Sequence, residues 1–160
     1  MTLPQYPTDR HYVYQTDPEF LIIPAMKPNG CYFMSWVEAL TAIFKLPFTH
    51  ESVINFYDLE LVDADKDVDN EMFVGDPQDL IDDLVGPRKV KFLGKFDTTH
   101  VCADDEIEIG CWHKTGNSYN HFTHCNGRGI TLYDPWGPNG SDSVSEGNLI
   151  GKRIARLLSL

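Results

Sequence analysis

The sequence predicts an α+β domain in which helices come first and an antiparallel sheet follows. Apolar residues recur at helical spacing in "CYFMSWVEALTAIFKL", residues 31–46. From residue 88 onward, "KVKFLGKF" and "EIEIGCWH" alternate apolar and polar residues, which is typical of strands. Because the helical patterns precede the strand patterns instead of alternating with them, the order favours an α+β fold.

Capping residues define the predicted helices. The first helix is predicted to carry Cys31 in its first turn and to stop before Pro47. A second helix is predicted to follow Thr49 as N-cap, and a third to follow Asp76, with Gly86 beyond its end. These signals agree with the apolar periodicity, so three helices are expected before residue 88.

Three other segments have weaker patterns. The "MFV" of residues 72–74 is predicted to be a strand, and "KRIARLLSL" at residues 152–160 fits a helix and a strand equally well. The aspartate-rich "VDADKDVDNE" of residues 62–71 resembles a calcium-binding loop, but Val68 and Val74 replace the required glycine and glutamate. A solvated acidic loop is predicted there.

Composition and charge narrow the possible functions. A chain of 160 residues suits one domain, so residues 1–160 are predicted to form a single domain. The net charge of −11 makes nucleic acid and anionic membranes poor partners. There is no apolar run of about 20 residues and no secretory signal pattern, so a cytoplasmic location with reduced cysteines is expected.

The segment "HFTHCNGRGITLYDPWG", residues 121–137, has the pattern of a β-hairpin. A two-residue type II′ turn at Gly127 and Arg128 would place His121 opposite Asp134, and Cys125 opposite Ile130. Directly opposed side chains share a face of a sheet, within reach of an imidazole–carboxylate hydrogen bond. His121 is therefore a candidate general base oriented by Asp134.

In the same register His124 would lie opposite Thr131, on the other face of the sheet, without a carboxylate partner. On the hairpin alone, a chance surface pair of histidine and aspartate is a better explanation than a catalytic pair. The hairpin alone is therefore a weak signal.

Cys31 is the candidate nucleophile. It follows the turn residues "PNG" and opens the first predicted helix, where the partial positive charge of the helix N-terminus favours the thiolate. The amide of Cys31 is also suited to stabilise the oxyanion of a tetrahedral intermediate. A small, buried and inert cysteine at a helix start is the alternative interpretation.

Three short motifs together resemble the papain-like cysteine peptidase superfamily. Gly30-Cys31 opens a helix, His121-Phe122 starts a strand and Asp134-Pro135 ends the next one, an order similar to that of the bacteriocin-leader-processing peptidases. The phrase "GCYFMS" is similar to that of small uncharacterised proteins of phages and spirochaetes.

The resemblance implies a papain-like fold, in which the helix carrying the cysteine packs on an antiparallel sheet. It also implies a cysteine peptidase or amidase that cleaves a peptide or isopeptide bond of a peptide or protein substrate without a cofactor or metal. Cys31 would be the nucleophile, His121 the general base and then acid, and Asp134 the residue that orients His121.

The sequence departs from that pattern at the oxyanion hole. The superfamily usually has a glutamine six residues before the cysteine, whereas this chain has Ala25 there. Asn29 and Gln15 are the candidate substitutes. Loss of one oxyanion donor lowers the rate by about 100- to 1,000-fold.

Two other functions remain possible from the sequence. Cys111, His113, His121 and Cys125 offer a zinc-compatible set of ligands, although His121 and Cys125 would lie more than about 12 Å apart along an extended strand. The second alternative is a catalytically silent papain-like binding module. Cleavage of cell-wall peptides ranks lower, because the negative charge suits an anionic wall polymer poorly.

Overall fold

The computed structural model describes residues 1–62 and 68–160, and its strands form one antiparallel sheet. The strand order is β1-β5-β2-β3-β4, so the last strand in sequence lies between β1 and β2. The predicted α+β class and antiparallel sheet are therefore confirmed. The strands are β1 (Val90–Phe96), β2 (Glu106–His113), β3 (His121–Cys125), β4 (Thr131–Tyr133) and β5 (Asn148–Leu157).

The helices precede the sheet, apart from one short helix between β4 and β5. They are a 3-10 helix (Pro18–Ile22), α1 (Met26–Asn29), α2 (Cys31–Phe44), α3 (His50–Val62), α4 (Pro77–Val85) and α5 (Asp142–Ser145). Among the described residues, no helix combines the length and the apolarity needed to cross a bilayer.

The helix boundaries that the sequence predicts are confirmed. Helix α2 begins at Cys31 and ends at Phe44, before Pro47. At the start of α3 the Thr49 hydroxyl accepts a hydrogen bond from the Ser52 amide at 3.1 Å, as an N-cap does. Local capping chemistry therefore decides where these helices start.

The third predicted helix is confirmed in the same way. The Asp76 carboxylate accepts hydrogen bonds from the amides of Gln78 and Asp79 at the start of α4. Gly86 follows the helix with a φ of 96°, a value that favours glycine.

The structure decides between the possibilities for two segments whose sequence patterns are weak. Residues 72–74 do not form a strand, because Met72 has a φ of 66° and only an isolated bridge joins Val68 to Val74. The C-terminal segment, whose sequence fits a helix and a strand equally well, belongs to strand β5. Part of the predicted acidic loop, residues 63–67, lies outside the described residues.

Helix α2 is buried on nearly all sides because it lies between the sheet and other helices. Its Phe33 ring stacks on Phe56 of α3, with the ring centres 5.9 Å apart. Its Trp36 meets Phe92 of β1 edge to face at 5.9 Å. The helix that carries Cys31 is thus the centre of the hydrophobic core, which fixes its position relative to the sheet.

The predicted hairpin register is wrong. The observed partners are His124 with Tyr133 and Cys125 with Thr131, separated by an irregularity, instead of His124 with Thr131 and Cys125 with Ile130. Strand β4 ends at Tyr133, so within the described parts of the chain Asp134 has no cross-strand partner and His121 pairs with Trp112 of β2 alone.

A buried carboxylate from another strand explains the wider turn. Glu108 of β2 accepts hydrogen bonds from the amides of Gly127 at 3.2 Å and Gly129 at 2.8 Å. Asn126 and Ile130 close the loop through a backbone hydrogen bond of 2.9 Å. The loop therefore wraps around Glu108 and is too wide for a two-residue turn.

Glu108 also forms a buried ion pair in the middle of the sheet. Its carboxylate lies 2.6 Å from the ammonium of Lys152, and the two side chains are 0% and 2% exposed. The same ammonium donates to the carbonyl of His100 at 2.6 Å. This pair joins β2 to β5 and the 126–130 loop to both strands.

Candidate active site

Cys31 is held at the junction of α1 and α2. Gly30 separates the two helices, and a Cβ atom there would lie 2.5 Å from the carbonyl oxygen of Met26, so the junction needs glycine. The first backbone bond of α2 runs from the Met34 amide to the Gly30 carbonyl at 2.8 Å. The Cys31 amide is therefore one of the free N-terminal donors of α2.

The N-terminal turn of α2 is fixed against β3. The Ser35 hydroxyl is 2.7 Å from the carbonyl of Cys31 and 3.2 Å from that of Phe122, so it bridges helix and strand. The rings of Tyr32 and Phe122 meet edge to face, with 4.6 Å between their centres. These contacts place Cys31 beside the first residue of β3, which is His121.

The structure brings Cys31, His121 and Asp134 together. The Nε2 atom of His121 lies 2.7 Å from Oδ1 of Asp134, and both residues are buried. Cys31 and His121 line the same cavity, and the Cys31 thiol is near enough to raise the pKa of His121. Because Nε2 is engaged by Asp134, Nδ1 is the ring nitrogen that remains for the thiol.

The loop after β4 fixes the Asp134 carboxylate. Its Oδ1 accepts from the Trp136 amide and its Oδ2 from the Ser141 amide, both at 2.9 Å. Burial raises the pKa of Asp134, but His121 and these two amides outweigh burial and hold the pKa below its usual range. Asp134 is therefore an ionised, rigid acceptor for the imidazole.

The electrostatics of His121 favour the imidazolium. Burial lowers the pKa of His121, but hydrogen bonds and charge interactions with Asp134 and Cys31 outweigh this effect and raise the pKa to about 9. A protonated His121 beside Cys31 has the charge expected of a thiolate–imidazolium pair.

The N-terminal segment 13–16 holds the Asp134 loop in place, a role that the sequence did not predict. The Gln15 amide donates to the carbonyl of Pro135, and the Thr16 hydroxyl to that of Trp136, both at 2.8 Å. The Tyr133 hydroxyl donates to the Val13 carbonyl at 2.7 Å. No periodic pattern marks this segment, so its contacts could not be read from the sequence.

The two candidate oxyanion donors differ in availability. Gln15 lies near Cys31, but its Nε2 donates to the carbonyls of Lys27 at 2.7 Å and Met26 at 3.3 Å. Asn29 precedes Gly30, and within the described residues its side chain makes no hydrogen bond. Asn29 is therefore the freer donor of the two.

Two cavities meet at Cys31. The first, about 520 Å³, contains His121, Gln15 and Trp136, and the loop residues Ser141 and Ser143. The second, about 690 Å³, extends to the other side of Cys31 and does not include His121. They share five residues, which are Pro28, Asn29, Cys31, Tyr119 and Asn120.

His124 has a partner, contrary to the sequence prediction. Its Nδ1 lies 2.6 Å from Oε2 of Glu38 in α2, where the carboxylate also accepts from the Tyr6 hydroxyl and lies 3.7 Å from Nε of Arg10. Glu38 is fully buried and 86 residues away in sequence, so no local signal could identify it. This network joins the N-terminal region, α2 and β3.

The predicted zinc ligands do not form a cluster within the described residues. His121 is bonded to Asp134, His113 lies 3.1 Å from Oδ1 of Asn120, and Cys125 bonds within β3 to Thr123. The donor groups close enough to share an ion are instead His100, Cys102 and Glu106, and Asp17, Glu19 and His50. Both groups lie apart from the two cavities at Cys31.

The family described as "Protein of unknown function, DUF261" matches residues 14–157. The chain belongs to this family. The DUF261 match includes Cys31, His121, Asp134, Gln15 and Asn29, and therefore the whole candidate site. No curated protein and no solved structure matches the chain significantly.

Proposed function

We propose that this DUF261 protein is a cysteine hydrolase of papain-like fold that cleaves a peptide or isopeptide bond. One observation carries the proposal: the Cys31 thiol at a helix N-terminus interacts with His121, whose other nitrogen is held by Asp134 at 2.7 Å. A nucleophile, a base and a group that orients the base are the parts that nucleophilic acyl transfer requires.

The first step is formation of the acyl-enzyme. His121 takes the thiol proton, and the Cys31 thiolate attacks the carbonyl carbon of the scissile amide. The oxyanion receives a hydrogen bond from the Cys31 amide, with Asn29 as the second donor. The imidazolium of His121 then gives its proton to the leaving amine, and the C–N bond breaks to leave a thioester on Cys31.

The second step releases the acid. His121, neutral again, removes a proton from water, and the resulting hydroxide adds to the thioester carbonyl. Collapse of this intermediate expels the Cys31 thiolate and restores the thiolate–imidazolium pair. Asp134 stays ionised throughout and stabilises the imidazolium each time it forms.

The proposed setting is the cytoplasm, with a peptide or protein as substrate. All four cysteines are free thiols, which suits a reducing compartment. The papain-like assignment is supported by the order of elements, in which a helix carrying the cysteine packs on an antiparallel sheet carrying the histidine.

Selective alkylation tests the nucleophile. Cys31 is expected to react with iodoacetamide at pH 7 faster than Cys102, Cys111 and Cys125, and peptide mass mapping over time measures each rate. The other three are matched internal controls, because burial raises the pKa of Cys102 to about 12 and that of Cys125 to about 11, and also raises the pKa of Cys111. If Cys31 is labelled no faster than the other three cysteines, it is not the activated nucleophile that the proposal requires.

The titration of His121 gives a second test. Its folded pKa of about 9 lies above the unfolded value of about 6.5, so its contribution to stability is complete below pH 6.5 and disappears as the pH rises through 9. Imidazole NMR signals should therefore show His121 titrating near pH 9. The wild type and His121→Gln differ in their free energy of unfolding, as measured in urea. This difference should decrease as the pH rises from 6.5 to 9. Titration of His121 near 6.5 would contradict the ion pair.

A catalytically silent papain-like binding module is the second candidate. The observation that favours it is the engagement of Gln15 with the carbonyls of Met26 and Lys27, which leaves the oxyanion hole without this donor. Rapid alkylation of Cys31 together with no amine release from peptide and isopeptide libraries would select this candidate. Amine release that disappears in Cys31→Ala would select the hydrolase.

A further inference from the structure

The larger cavity beside Cys31 is aromatic and carries two cations. Phe92 and Phe122 are among its lining residues, and Lys95 and Arg153 contribute the charges. None of its lining residues among the described parts of the chain is acidic. In a protein with a net charge of −11, two cations without a carboxylate in one cavity need an explanation.

Lys95 and Arg153 are directly opposed on neighbouring strands. They are register partners in the antiparallel pairing of β1 with β5. Like charges in directly opposed positions destabilise a sheet, so this arrangement disfavours the unliganded protein.

A bulge places the two cations together. The pairing of β1 with β5 shifts between Phe92 and Gly94, and Gly94 has a φ of 111°, which favours glycine. A bulge changes the register of the residues that follow it, and here it places Lys95 opposite Arg153. If the register of Val90–Phe92 continued without this shift, Lys95 would lie opposite Lys152 instead.

Three other cations of the described chain have carboxylate partners. Lys152 pairs with Glu108 at 2.6 Å, and Arg10 lies 3.7 Å from Glu38. Arg156, on the same strand as Arg153, lies 3.7 Å from Asp105 and 3.5 Å from Glu106. Within the described residues, Arg153 has instead the ring of Phe122 at 5.5 Å and the carbonyl of Lys152 at 3.3 Å.

Both cations lie close to the proposed nucleophile. Burial raises the pKa of the Cys111 thiol in β2, the charges of Arg153 and Lys95 lower it, and Cys31 raises it. Arg153, Lys95 and Cys31 are therefore each near enough to Cys111 to affect the pKa of its thiol. Arg153 and Cys31 also line the same cavity.

The position of His121 decides which part of a substrate meets these cations. The leaving amine must lie next to His121, which lines the smaller cavity. The acyl part must then extend to the other side of Cys31, into the larger cavity. This step rests on the proposed function.

We propose that Lys95 and Arg153 form a carboxylate-binding subsite, so that the protein acts on acyl groups that carry a negative charge, such as a peptide with an acidic residue on the acyl side of the scissile bond. Guanidinium groups bind carboxylates through two parallel hydrogen bonds, and Lys95 adds a second charge. A bound carboxylate removes the repulsion between the opposed cations. The Phe92 and Phe122 rings that line the same cavity lower the local polarity, which strengthens the interaction.

Paired maleimides of equal length test the subsite, one ending in a carboxylate and the other in a carboxamide. The measured quantity is the ratio of the two alkylation rates at Cys31, because a ratio cancels any general change in thiol reactivity. The wild-type protein is expected to favour the carboxylate, and Arg153→Gln should lower the ratio roughly tenfold. Lys95→Gln should lower it less, because Lys95 is more exposed and its charge is screened.

Lys91→Gln is the matched control. Lys91 lies on the same strand as Lys95 and is also opposed to an arginine, but that arginine, Arg156, has carboxylate partners. The ratio should equal that of the wild type. An unchanged ratio in both Arg153→Gln and Lys95→Gln, with Cys31 still reactive toward the carboxamide, would overturn the subsite and leave the hydrolase proposal intact.

If Cys31 reacts no faster than the other cysteines, a binding measurement still tests the carboxylate subsite, because binding does not depend on the proposed hydrolysis. In Cys31→Ala, N-acetylglutamate should shift the NMR signals around Phe122 at lower concentration than N-acetylglutamine. Adding Arg153→Gln should remove that difference. Equal binding of the two ligands by Cys31→Ala would overturn the subsite directly.

Discussion

His121→Ala is expected to slow the alkylation of Cys31 by iodoacetamide at pH 7 by roughly 10- to 100-fold. Without an imidazolium beside it, the thiol loses the charge that stabilises its thiolate. Turnover of any amide substrate should fall further, by about 100- to 10,000-fold, because the same residue supplies the proton to the leaving amine. Initial rates of labelling and of amine release measure the two effects separately.

Two variants control this experiment. His11→Ala removes an exposed histidine outside both cavities at Cys31 and should leave labelling unchanged. Asp134→Asn keeps the hydrogen-bonding shape but removes the charge that favours the imidazolium, so its labelling rate should fall between the wild type and His121→Ala. Labelling of Cys31 in His121→Ala at the wild-type rate would contradict the proposed pair.

The largest effect on stability is expected from Glu108→Ala. The substitution leaves the Lys152 ammonium buried without its counter-charge and removes the acceptor for the amides of Gly127 and Gly129. Breaking a buried ion pair in this way lowers the free energy of unfolding by about 3–5 kcal/mol. Urea unfolding followed by circular dichroism measures the loss.

The surface ion pair of Lys114 with Glu146, at 2.7 Å, offers a matched comparison. Glu146→Ala should change the unfolding midpoint far less, because water and salt screen exposed charges. The double variant Glu108→Ala/Lys152→Met should be more stable than Glu108→Ala, since it removes the isolated charge. A loss of less than about 1 kcal/mol in Glu108→Ala would show that the pair contributes little.

Features that depend on neighbours in sequence could be predicted. The starts of α2, α3 and α4 follow from the turn before Cys31, the Thr49 cap and the Asp76 cap, because a cap acts within three residues. Strands β1 and β2 follow from alternation of apolar and polar residues. The meeting of His121 with Asp134 was expected from the hairpin pattern, although the register that suggested it is wrong.

Features that depend on distant partners could not be predicted. The hairpin register changes because Glu108, from another strand, binds the amides of the turn. His124 finds Glu38 on a helix far away in sequence. The C-terminal segment has no local preference, and it becomes a strand because β1 and β2 each offer it an unpaired edge.

The place of β5 in the sheet has a consequence for the order of folding. β5 is the last strand to be synthesised, yet it separates β1 from β2, so these two earlier strands have no common hydrogen-bonding partner until residues 148–157 are available. Such non-local pairing is slow to form. Both Lys152, which neutralises Glu108, and Arg153, which faces the cavity beside Cys31, arrive with this strand. A nascent chain therefore exposes an unfinished sheet edge and lacks Arg153, so the proposed binding of substrate depends on the last pairing step of the fold.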